Sequence, residues 1–113
     1  MIYIEKRVNR IHLKLKALKM GEDLCIVLTG GKEHIGAVTV FHDGIVETIA
    51  FSGHKEKVIT ESLSDVFIRE FGKSFVICCG IHFDNITKEE ILSVKNISCE
   101  MAKILCKKLK KSI

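Results

Sequence analysis

From Ile11 to Ala17 the chain alternates: Ile11, Leu13, Leu15 and Ala17 are apolar, while His12, Lys14 and Lys16 between them are polar. A period of two places one set on each side of an extended backbone, so residues 11–17 read as a half-exposed strand. Gly21 then permits a turn. Residues 24–28 are continuously apolar, the pattern of a central strand, and a glycine-bearing loop follows them. Two further strands are expected over 37–41 and 45–51, joined by His42-Asp43-Gly44, because Asp-Gly suits a tight hairpin turn.

After residue 54 the period changes. Ile59, Leu63, Val66, Phe67 and Glu70 recur at helical spacing within 55–70, and Gly72 supplies the stop. A strand is expected over 74–81. Its run Phe75-Val76-Ile77-Cys78-Cys79 is apolar on both faces, which predicts a place inside the sheet with cover on both sides. The last helix has the clearest start: Thr87 as N-cap, Glu90 three residues later to close a capping box, and Ile86 with Ile91 as a hydrophobic staple. Ile91, Val94, Ile97, Ser98, Met101, Leu105 and Leu109 form its apolar stripe, which reads as core. The elements predict an α+β fold of order β-β-β-β-α-β-α: a largely antiparallel sheet of about five strands with two helices on one face.

Length and composition narrow this picture. A chain of 113 residues has the size of one domain, expected over 1–113 with no linker. No apolar run approaches the roughly 18 to 20 residues that span a bilayer, and residues 1–10 alternate apolar and charged positions instead of forming a secretory signal. The expected location is cytoplasmic, with no membrane partner. Five cysteines, an odd number, lie within apolar patterns and read as reduced, buried thiols. Much of the net charge of +4 sits in Lys107, Lys108, Lys110 and Lys111, where a helix C-terminus favours cations. With seven aromatics in the chain, one of them Tyr, there is little for base stacking, so nucleic acid is not an expected partner.

The candidate chemistry lies in three loops: Thr29-Gly30-Gly31-Lys32-Glu33-His34-Ile35-Gly36, Ser52-Gly53-His54-Lys55, and Gly80-Ile81-His82-Phe83-Asp84-Asn85. Each sets a histidine near glycine. Glycine lets a backbone approach a ligand closely, and imidazole either ligates a metal when neutral or pairs with phosphate when protonated. Gly53-His54 and Asp84-Asn85 each precede a helix, whose unpaired N–H groups suit an anion. If His82 and Asp84 continue a strand they share a face, which fits a divalent metal or an Asp84 that orients His82. As single residues these histidines are as well explained by backbone hydrogen bonding. The Walker A and dinucleotide fingerprints do not fit, since Lys32 is not followed by Ser or Thr and no G-x-G-x-x-G occurs.

These loops also carry a family resemblance. Thr-Gly-Gly-x-x-His-Ile-Gly-Ala at Thr29 to Ala37, Gly-His-Lys-Glu at Gly53 to Glu56 and Gly-Ile-His-x-Asp-Asn-Ile-Thr at Gly80 to Thr87 resemble the LpdD-like family. Its members are small accessory proteins of UbiD-type hydroxyarylic acid or gallate decarboxylases, and they resemble chaperones for prenylated flavin mononucleotide. One departure is Ser52, where the motif is expected to hold proline. By matching position, the resemblance implies prenylated FMN, or FMN, as ligand, cradled by Thr29, Gly30, Gly31, His34, Gly36, Gly53, His54, Lys55 and Asn85. It also implies His34, His54, His82 and Asp84 as candidates for a divalent metal ion. Implied too are a transient UbiD-type decarboxylase partner, a homodimer and no catalysis by the chain itself. The alternatives are a small enzyme with His82 as general base beside Asp84, or a metal-binding subunit adaptor.

Overall fold

The computed structural model describes residues 1–51 and 55–111. Six strands and two helices form within them: β1 (Ile2–Val8), β2 (Ile11–Met20), β3 (Asp23–Gly31), β4 (Ala37–His42), β5 (Ile45–Ala50), α1 (Lys55–Glu70), β6 (Phe75–His82) and α2 (Lys88–Lys111). The sheet order is β1-β2-β3-β6-β4-β5. Every neighbouring pair is antiparallel except β3 with β6, which run parallel. The α+β class therefore holds, but the count and order of strands need correcting. Residues 2–8 alternate as a strand should, and they form the first edge of the sheet, a strand missing from the sequence reading.

Hairpin chemistry explains the meander. Asn9 (φ 55°) turns β1 into β2, Gly21 (φ 65°) turns β2 into β3, and Asp43 with Gly44 (φ 50° and 76°) joins β4 to β5. Both helices lie on one face of the sheet. Their apolar stripes meet the inward residues of the strands in a single core, where Leu13, Leu15, Ile26, Leu28, Ile77, Leu63, Phe67, Met101 and Leu105 are wholly buried. Phe75 and Phe41 stack with centroids 5.3 Å apart beneath α1 residue Phe67, itself 5.7 Å from Phe75.

Strand β6 does lie inside the sheet, between β3 and β4. Its cover is on one side only: Phe75, Ile77 and Cys79 are buried under the helices, whereas Val76 and Cys78 on the other face are half-buried. Two helices supply one layer, so the apolar residues facing away from them meet no second layer among the described residues. None of the cysteines is in a disulfide. Burial pushes the Cys79 thiol up to about 12, aided by the charge of Glu56, and likewise raises Cys106 to about 11. Thiolate chemistry is thereby suppressed at both. Among the described residues no helix is long and apolar enough to cross a membrane.

The start of α2 is built as expected. Thr87 N–H donates to Glu90 Oε1 at 3.0 Å and Glu90 N–H donates to Thr87 Oγ1 at 3.1 Å. Arg10, from the β1–β2 turn, adds a bidentate clamp to the Glu90 carboxylate, at 2.7 and 2.9 Å. The Arg10 guanidinium and then the Thr87 N–H hold the Glu90 carboxyl at about 2, below its ordinary 4.5. A carboxylate depressed in the folded state stabilises the fold above its ordinary value and loses that contribution as the pH falls through the folded one. Arg10→Ala should therefore melt below the native protein at neutral pH, and the gap should narrow between pH 4.5 and about 2 in a series of thermal melts.

Candidate functional site

Strand order imposes the geometry of the site. Because β6 inserts between β3 and β4, the chain leaving β3 must cross the C-terminal end of β6 to begin β4. Residues 32–36 make that crossing, and both ends of the loop are pinned to β6. Lys32 N–H donates to the His82 carbonyl at 3.0 Å, and Gly36 N–H donates to the Cys79 carbonyl at 2.8 Å. Between those pins the His34 backbone lies directly on Gly80, where an added Cβ would overlap the His34 carbonyl oxygen. Gly80 is thus required by contact.

The crossing brings His34 to α1. Its Nε2 lies 2.8 Å from Glu56 Oε2, and its Nδ1 lies 3.3 Å from the Lys32 carbonyl oxygen. Both ring nitrogens face oxygen acceptors, an arrangement satisfied in full by the doubly protonated ring, and neither nitrogen is left turned toward a metal. Glu56 is 6% exposed although it opens a helix, and it also accepts the Ile81 N–H at 3.1 Å. A buried carboxylate persists where charge and hydrogen bonds compensate its lost hydration, and here loop, strand and helix each contribute. Gly36 completes the joint, since a Cβ there would run into the Glu56 carboxylate.

His82 ends β6. Its ring stands edge-on to that of His34, with centroids 6.4 Å apart and planes at 79°. The strand stops before Asp84, which lies in a turn, yet His82 Nε2 still reaches Asp84 Oδ1 at 3.1 Å. Asn85 follows with φ 53°, a left-handed conformation that asparagine tolerates better than most residues.

A cavity of about 480 Å³ opens between the ends of these segments and the two helices. Its polar side is formed by His34, Lys55, Glu56, His82 and Asn85, and its apolar side by Ile59, Ile81, Phe83, Ile86, Ile91 and Val94. Lys55 is the first residue of α1, and Asn85 and Ile86 directly precede α2. Two helix N-termini therefore border the polar side, each contributing unpaired N–H groups and partial positive charge.

Of the residues proposed as a cradle, His34, Lys55 and Asn85 line this cavity, as does His82 from the metal set, whereas Asp84 touches it only through His82. Thr29, Gly30 and Gly31 line a separate hollow of about 180 Å³ with Arg10, His12, Lys14 and Glu33, across Phe83 from the larger one. Packing accounts for these two glycines. A Cβ on Gly30 would press on Leu13, and Gly31 (φ 66°) has the His82 carbonyl against it. Gly36 acts from behind Glu56, and Gly53 and His54 lie outside the described residues. Among the described residues no three His, Cys, Asp or Glu side chains come together in a metal-binding arrangement.

Glu56 and the apolar side are what sequence reasoning missed. The signal was present: Glu56 stands three residues before Ile59, on the stripe that continues through Leu63, Val66 and Phe67, a charge at a core position. Glu56→Ala should cost about 1–3 kcal/mol in denaturant melts, by leaving the Ile81 N–H without its acceptor, and Glu56→Gln should cost less because an amide oxygen still accepts. Gly80→Ala should lower stability by about 1–3 kcal/mol through the forced separation of His34 from β6, read in the same melts.

Comparison with known proteins agrees with this geometry. Residues 7–110 match the family model described as the prenylated flavin chaperone LpdD-like domain. Protein LpdD of Lactiplantibacillus plantarum is 34% identical over 91 residues, which cover 74% of this chain and 67% of that protein. A chain from the crystal structure of a novel chaperone complex for yeast 20S proteasome assembly has the same fold, with a TM-score of 0.65 and 95% of both chains covered, at 9% identity. With crossing loop, histidine pair and helix N-termini all inside the matched segment, the chain belongs to the LpdD-like family of prenylated flavin chaperone domains.

Proposed function

We propose that this protein is a non-catalytic carrier, which binds prenylated FMN, or FMN, in the cavity between the crossing loop and the helix N-termini, protects it, and delivers it to a UbiD-type decarboxylase. The observation that carries this reading is the division of one cavity of about 480 Å³ into a cationic, donor-rich side and an apolar side. That volume falls within the range of small-molecule sites, roughly 300–1,000 Å³. A flavin mononucleotide has the same division, with a dianionic phosphate at one end and a flat, largely apolar ring system at the other.

Lys55, His82, Asn85 and the N–H groups at the two helix starts are the donors for the phosphate. Phe83, Ile86, Ile91 and Ile59 would flank the ring system and exclude water from it. Bound there, the flavin would supply the redox-sensitive ring chemistry, and the protein's part is to hold and shield. Lack of a three-donor metal cluster among the described residues leaves the phosphate to lysine, imidazole and amide, and no step of the proposal runs through a metal. The proposed setting is cytoplasmic, where the receiving decarboxylase would be met transiently.

Reduced prenylated FMN mixed with the protein should travel with it through gel filtration and retain a flavin spectrum. No retention at micromolar cofactor would end the carrier reading. Lys55→Ala and His82→Ala should each weaken FMN binding by about tenfold or more, the loss of one charge-assisted contact, while riboflavin, which lacks the phosphate, should bind both variants as it binds the native protein.

A further inference from the structure

The sheet face turned away from the helices is largely apolar, and no described residue covers it. Leu18, Met20, Val40, Ile45 and Ile49 on this face are between 45% and 63% exposed. Between them Cys25, Val27, Val38, Val76 and Cys78 are half-buried by one another alone. The register aligns these residues in rows across the strands. Lys16, Val27, Cys78, Val38 and Ile49 lie side by side in one row, and Leu18, Cys25, Val76, Val40 and Glu47 form the next. Monomeric soluble proteins rarely leave so continuous an apolar surface to water.

We infer that this face packs against the same face of a second copy of the chain, as two aligned sheets. Area and charge both favour that occupant. Six strands about 4.8 Å apart, each contributing about 20 Å of length, give roughly 600 Å² in projection, and more in accessible area once side-chain relief is counted. A stable interface of standard size takes about 800 Å² from each partner.

The charges lie at opposite flanks of the apolar centre. Lys14 and Lys16 stand on β2 and Glu47 on β5, and none of the three makes an ion pair among the described residues. A two-fold axis running along the strands lays the β1–β2 flank of one copy over the β4–β5 flank of the other, so that Lys16 approaches Glu47 of the second copy. An axis across the strands would instead stack the lysines on their own counterparts, which like charge disfavours. The first arrangement is the one the surface fits. It is a face-to-face pairing, in contrast to the open-edge pairing the sequence suggests, and it leaves the cavity on the far side of the sheet free for ligand.

Sedimentation equilibrium of the full chain tests this independently of flavin binding. The native protein should form a two-copy species at micromolar concentration, and a single copy throughout would overturn the inference. Val38→Glu, central on the face and clear of both sheet edges, should give one copy with unchanged far-ultraviolet circular dichroism. If that variant unfolds, Leu18→Glu at a half-exposed position gives the same reading. A dimer that survives these changes uses another surface, such as the β1 or β5 edge, and the inference fails. Lys16→Glu and Glu47→Lys should each weaken association by about tenfold, and the double variant should recover it. Absence of that recovery would overturn the strand-parallel arrangement.

Discussion

The structure depends on one crossing. Strand β6 occupies the middle of the sheet, so the five residues between β3 and β4 must pass over its end, and they do so in contact with Gly80. That contact sets the height of the loop above the strand, and the height brings the His34 ring to Glu56 at 2.8 Å and beside His82. The site thus forms as a by-product of topology. Glycine is needed at 80 because a backbone lies on it and at 36 because a carboxylate does, which is a more specific reason than conformational freedom.

Much of this was legible in the sequence, and where it was not the reasons are physical. Helix α2 could be placed from Thr87 and Glu90 alone, because a capping box is a local hydrogen-bond pattern that needs no tertiary information. The Asp43-Gly44 hairpin was legible for the same reason. Strand β1 was overlooked although Ile2 and Ile4 alternate with Tyr3 and Glu5, since an edge strand buries only one narrow face and shows a weak contrast. Cover on both sides of β6 was expected from its composition, yet apolar residues such as Val76 and Cys78 report only that water is disfavoured, without specifying what replaces it.

The candidate site divides along similar lines. His34, His82, Lys55 and Asn85 were correctly grouped by loop motif and do converge. Thr29, Gly30 and Gly31 belong to the same motif but face a different hollow, because Phe83 lies between the two. No sequence pattern reports which side of an aromatic ring a neighbouring loop will take. Glu56 was quoted within its motif and given no role, although a carboxylate on a buried helical stripe signals a charge with a partner. The partner comes from a loop some twenty residues away, which only the fold supplies.

The position of β6 also governs the order in which the molecule can be assembled. The β1–β3 meander and the β4–β5 hairpin are each local in the chain, yet they share no backbone pairing, and the strand that unites them is the last of the six to be synthesised. Until residues 75–82 are in place, each half carries an unsatisfied strand edge and an uncovered apolar face. A chain emerging from the ribosome must therefore hold two incomplete sheets apart, and gains its cooperative, long-range contacts only near the end of translation.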